Sequence, residues 1–275
     1  MMQEHAFRFG RAQHLIGIAG LPLSSSAQVG VIVLNAGLVH RIGPFRLHVE
    51  MTRRLNACGY PTLRFDLSTL GDSSATCESQ SREQQVCADV ADAMALLGER
   101  SGCTRFVLVG LCSGAENAHR VARTDTRVAG AIFLDGYAYR TLGFRLRHYL
   151  PRLLHPVHVV RSLARRMHAA TLTDAAVFSV TFQPRKQIRM DLADMLDHGL
   201  KLCFIYSGGA SGYFNHTRQF RECFGRLSTH PGVSVSFFQQ ADHTYILAAD
   251  RVLLLEAIES WLHDHFPIAT KGVSA

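Results

Sequence analysis

Short continuous apolar runs alternate along most of this chain with longer stretches whose apolar side chains recur every three or four positions. Val29–Leu34, Phe106–Gly110 and Val128–Leu134 carry almost no polar interruption, as strands covered on both faces require. Arg82–Glu99 sets Val86, Val90, Ala93, Met94 and Leu97 on one face of a helix. Ala248–Phe266 does the same with Val252, Leu255, Ile258, Trp261 and Leu262. Further strands are expected at Tyr60–Asp66, Leu202–Tyr206 and Val233–Phe238, and an antiparallel edge strand at His14–Ile18. Pro44 fits the first turn of a helix that runs to about Ala57 and stops at Cys58-Gly59. Another helix follows the glycine-rich turn after Tyr206 and runs through Arg226. Alternation of this kind predicts an α/β fold, a doubly wound and mostly parallel sheet.

The pattern lapses between Tyr137 and Gly199, where helical and basic segments are broken by Pro151, Pro156 and Pro184. We read this as a helical cap inserted at about 138–199 into a single domain spanning 1–275.

With 275 residues, 47% of them hydrophobic, the chain can bury a full core. No apolar run reaches the length of a membrane span. The opening Met1-Met2-Gln3-Glu4-His5 carries an acid and no apolar segment of signal type, so no secretory signal is expected. Seven cysteines, odd in number and without a C-x-x-C pair, favour free thiols in a reducing cytoplasm over disulfides or a zinc site. The net charge of +7 gathers in the insertion, where Arg140, Arg145, Arg147, Arg152, Arg161, Arg165 and Arg166 outnumber nearby acids. Such a surface suits an acidic partner or phosphorylated ligand, or is a solvated helical face. No nucleic-acid module accompanies it.

Chemistry enters at Gly110-Leu111-Cys112-Ser113-Gly114, directly after an apolar strand and before a helix-forming stretch. This is the layout of a nucleophile elbow, with a thiol in the central seat. Ser113 is the rival nucleophile, but that frame puts Leu111 where a small residue is needed. An inert, packed thiol is the other alternative for Cys112. His243 stands just after the last strand, where loops gather over the carboxyl edge of such a sheet, and would serve as base and acid. Asp135, at the end of the strand beginning at Val128, could orient the imidazole or simply shape an Asp-Gly turn. Asp242 adjoins His243, but loop neighbours usually point apart. Asn35-Ala36-Gly37-Leu38 could supply a backbone N–H from Leu38 or Gly37 to an oxyanion hole completed by Ser113. His263-Asp264-His265 reads as a charge cluster ending a helix; neither a metal nor a cofactor is expected.

In that order the segments resemble the α/β-hydrolase superfamily over nearly the whole chain. Arg64–Ser73 is similar to its serine-aminopeptidase and lipase-like branch. Asn35–Arg41 and Leu134–Thr141 resemble bacterial members found beside exosortase or natural-product genes. The resemblance implies acyl transfer through a covalent intermediate, as hydrolysis, transfer or cyclisation in a biosynthetic pathway. The donor would be a small ester or thioester, free or bound to CoA or a carrier protein. Two departures stand out: the cysteine, as in dienelactone-hydrolase-like relatives, and Ala210-Ser211 where those bacterial relatives carry an aspartate. A non-catalytic binding protein on the same fold is the reading of a different class.

Overall fold

The computed structural model describes residues 3–23, 27–76, 79–153 and 183–268. Its frame is one sheet of eight strands in the order β1-β2-β4-β3-β5-β6-β7-β8. The strands are β1 (Gln3–Phe9), β2 (Leu15–Leu21), β3 (Val29–Val33), β4 (Thr62–Asp66), β5 (Arg105–Leu111), β6 (Val128–Leu134), β7 (Lys201–Ser207) and β8 (Val233–Phe238). From β4 to β8 every pairing is parallel, while β1–β2 and β2–β4 are antiparallel. The expected doubly wound sheet is thus present.

Three helices, α2 (Arg82–Ser101), α3 (Ser113–Ala122) and α5 (Arg185–Asp197), bury their apolar faces with Phe65, Leu108, Phe133 and Phe204. On the other face α1 (Leu47–Ala57) and α7 (Ala248–His265) pack Met51, Leu55, Leu255 and Trp261 on Val31, Val107 and Ile132. Strands β3, β5 and β6 are almost wholly buried, which explains why they read as unbroken apolar runs. The start of α2 is fixed by a capping box in which Ser81 and Gln84 exchange hydrogen bonds.

Four expectations need correction. The segment at His14–Ile18 belongs to a strand that is antiparallel but not at the edge, because β1 covers it. β1 escaped notice because most of its residues face solvent, and Glu4 instead pairs with Arg53 and Arg64, each at 2.7 Å. The helix expected from Pro44 opens as a short 3-10 turn, with Phe45 at φ 47° and Arg46 at φ 67°, and α1 begins only at Leu47. The helix expected through Arg226 stops earlier: α6 (Arg218–Phe224) ends at Gly225, φ 63°, and a 3-10 turn continues to Thr229. On α7 the buried stripe includes Leu254, and Val252 is exposed.

Of the expected insertion, α4 (Leu142–Leu153) and α5 are described, while 154–182 lie outside the described residues together with Arg161, Arg165 and Arg166. Two of the insertion's arginines brace the fold: Arg147 pairs with Glu222 at 2.8 Å, and Arg140 donates to the Gly212 carbonyl at 2.7 Å. No helix among the described residues is long and apolar enough to cross a membrane.

Candidate active site

Register brings the site together. Leu111 pairs with Leu134, and Leu134 with Ile205, so β5, β6 and β7 end nearly level. Whatever follows them meets over the same edge of the sheet.

Cys112 alone makes the turn between β5 and α3, at φ 56° and ψ −117°. A side chain rarely adopts that strained backbone, and it is held here by crowding. A Cβ on Gly110 would lie 2.1 Å from the Gly114 carbonyl oxygen, and one on Gly114 would lie 2.6 Å from that of Asn35. Both flanking positions therefore require glycine. The elbow is centred on Cys112, and Ser113 is the first residue of α3, its hydroxyl accepting the Gly37 N–H at 2.7 Å.

Asp135 also sits in the left-handed region, at φ 50°. Its carboxylate does not close its own turn. It accepts the N–H and the hydroxyl of Ser207, each at 2.6 Å, and its Oδ2 lies 2.7 Å from His243 Nδ1. The carboxylate is fully buried, whereas the ring is 39% exposed, so its far nitrogen can face the crevice. Hydrogen bonds to Asp135 and then to Cys112 raise His243 to about 10, against the opposing pull of burial.

Asp242 takes no part in this contact. It caps its own turn, accepting from the N–H groups of Thr244 at 2.8 Å and Ile246 at 2.9 Å.

At two positions of the loop after β7 an acid is sterically excluded. A Cβ at Gly209 would stand 2.2 Å from the His243 backbone nitrogen, and one at Gly208 would stand 2.0 Å from the Gln239 carbonyl oxygen. These glycines let the histidine loop lie directly on the end of β7. Ser207, an ordinary serine at a strand end in the sequence, is the donor that holds Asp135. Tyr213 was also missed; its hydroxyl donates to the Asp135 carbonyl oxygen at 2.8 Å.

The loop after β3 is clamped from β4. Buried Asp66 accepts from Asn35 Nδ2 at 3.3 Å and pairs with Arg41, which also reaches Asp72 at 2.7 Å. Asn35 in turn accepts from the Leu67 N–H at 2.8 Å and donates to the Val39 carbonyl at 3.0 Å. Leu38 stands at the exposed crest of this loop. The Ser113 N–H, at the first position of a helix, has no intrahelical acceptor.

Burial pushes the thiols of Cys58, Cys87, Cys103, Cys203 and Cys223 up, Cys203 to about 12. Those thiols stay protonated at neutral pH. Cys77 lies outside the described residues. Among the described residues no cluster of three or more His, Cys, Asp or Glu side chains is arranged to hold a metal ion.

No family model matches the chain, and no curated protein matches it either. Solved structures do. An esterase from Pyrococcus furiosus superposes with a TM-score of 0.61 at 15% identity, covering 96% of this chain and 91% of its own. An α/β serine hydrolase described as lacking a lid, from Xanthomonas campestris, gives 0.58 at 13% identity over 98% and 96%. The mouse α/β hydrolase domain-containing protein 10 gives 0.54 at 17% identity over 95% and 99%. The chain has the α/β-hydrolase fold; identities this low speak for the fold alone.

Proposed function

We propose that the chain is an acyl-transfer enzyme of hydrolase type that works through a thiol. The observation that carries this reading is the placement of His243, bonded to buried Asp135 at 2.7 Å over the sheet edge where Cys112 forms a strained elbow. In this reading His243, steadied by the carboxylate, takes the proton of Cys112 as the sulfur attacks.

In this reading the Cys112 sulfur attacks the carbonyl of an ester or thioester. The carbonyl oxygen takes the electron pair and is held by the N–H groups of Ser113 and Leu38. On collapse the bond to the leaving oxygen or sulfur breaks, and His243 returns the proton to that leaving group. An acyl–sulfur bond remains. Water or another nucleophile then gives its proton to the neutral imidazole and attacks the acyl carbon, and the thiolate departs. Asp135 orients the ring and balances its charge throughout. The arginines of the insertion suit an anionic donor, such as a CoA or carrier-protein thioester.

Intact-protein mass after exposure to a panel of acyl thioesters tests the reading. One acyl group should add to the wild-type protein and none to Cys112→Ala. Equal adducts on both proteins, or none on either with every donor, would reject it. Iodoacetamide separates the binding-protein alternative, since an enzyme site should label Cys112 ahead of the other thiols, exposed Cys58 included.

A further inference from the structure

A cavity of about 230 Å³ runs alongside α3, beginning at Ser113, the residue after the elbow cysteine. Gly37 and Ser113 form its near end, the residues that flank the seat of the reacting carbonyl oxygen. Arg120, seven residues further along α3, lines its far end. At 1.5 Å per helical residue this is a reach of about 10 Å. The start of α2 forms the opposite wall with Arg82, Glu83 and Val86. In water volumes of ~30 Å³ each, the space holds roughly eight heavy atoms.

The charges in this lining cancel. Arg120 reaches Glu83 at 2.9 Å and Glu116 at 3.7 Å, and donates to Asn117 Oδ1 at 3.1 Å. With Arg82 there are two guanidiniums and two carboxylates. A carboxylate or phosphate placed here would meet as much repulsion as attraction. Leu67, Leu70 and Val86 give an alkyl group some contact, but a chain running on to Arg120 would strip water from the charged groups and return no hydrogen bond.

What remains on offer is hydrogen bonding without net charge. Asn117 uses its oxygen on Arg120, and its amide N–H groups have no partner among the described residues. The Ser113 hydroxyl accepts from Gly37 and still has its own proton to give. Glu116 supplies an acceptor for an N–H. Donors for a C=O beside an acceptor for an N–H describe the two sides of an amide.

Resting on the acyl-transfer reading above, we propose that this cavity seats a short, uncharged, amide-bearing segment joined to the reacting carbonyl. The amide can belong to the acyl group or to the leaving thiol, and the test distinguishes the two. Thioesters of matched length are compared in two arms: N-acetylglycyl against pentanoyl on a plain alkyl thiol, and a pentanoyl group on N-acetylcysteamine against the same group on pentanethiol. The amide in one arm should raise kcat/KM by ~10-fold or more. Asn117→Leu, with its melting temperature checked, should bring that ratio close to one; Asn117→Ser serves if the leucine variant melts early. No preference in either arm, or a preference unchanged in the Asn117 variants, overturns the cavity assignment and leaves acylation of Cys112 intact. Failure of every thioester to acylate Cys112 defeats the parent reading, and this one with it.

Discussion

Ser207 gives Asp135 two protons to bind, its backbone N–H to one carboxylate oxygen and its hydroxyl to the other, each at 2.6 Å. The second of those oxygens also bonds His243. A residue at the end of β7 therefore steadies the acid at the end of β6. Ser207→Ala removes one hydrogen bond to a charged acceptor, roughly 1.5–3 kcal/mol. Thermal melts should show a fall of several degrees, and kcat should fall by less than in Asp135→Asn. An unchanged melting temperature would mean that the hydroxyl holds nothing.

Asp135→Asn should cut turnover ~100-fold or more, the usual scale for general acid–base help. Alkylation of Cys112 by iodoacetamide at high pH, where thiolate forms unaided, should persist. If the variant loses thermal stability but keeps its kinetics, Asp135 belongs to its turn and not to the chemistry.

The pH dependence follows from His243, whose folded value of about 10 lies above the ordinary 6.5 of a free imidazole. The folded state binds this proton more tightly than the unfolded chain does. The resulting stability is complete below about pH 6.5 and is lost as pH rises through about 10. Melting temperature should fall over that window in the wild type and less steeply in Asp135→Asn. In kcat the alkaline limb should sit near 10 and move downward in the variant. An imidazole titration near 6.5 by NMR would contradict the pairing.

Gly209→Ala puts a methyl group 2.2 Å from the His243 nitrogen. The histidine loop must move, and ~1 Å of misplacement costs on the order of 100-fold in rate. Activity should collapse while far-UV circular dichroism stays that of a folded protein. Full activity in this variant would show that the loop tolerates displacement.

Ser113→Ala unties the loop after β3 from α3. Turnover should drop ~10-fold, less than the ~100-fold or more for a donor acting directly on the oxyanion. The rate of Cys112 alkylation should not change. A variant that can no longer be alkylated would make Ser113 part of the thiol's own activation.

Much of this architecture was legible because buried strands leave an unmistakable apolar signature, as in Val128–Leu134, and because the elbow demands small residues at Gly110 and Gly114. Strand β1 was not legible: its residues face water, and it is held by pairing with β2 and by the Glu4 ion pairs, which depend on partners distant in sequence. The link between Asp135 and His243 spans 108 residues, and only register could settle it. Ser207 left no local signal, since a serine after a strand is ordinary; its meaning comes from Leu134 pairing with Ile205 two positions before it.

The glycines beneath the histidine also constrain how this sequence can change over time. A carboxylate at 208 or 209 collides with backbone, one at Ser207 removes the hydroxyl that donates to Asp135, and one at Ala210 would be buried, that residue being 2% exposed. No single replacement across 207–210 can move the acid to the β7 loop while the histidine stays in place. Across these four positions a shift of the acid needs coordinated replacements. Descendants should diverge freely around Asp135, Ser207, Gly208, Gly209 and His243 while inheriting those five as one block.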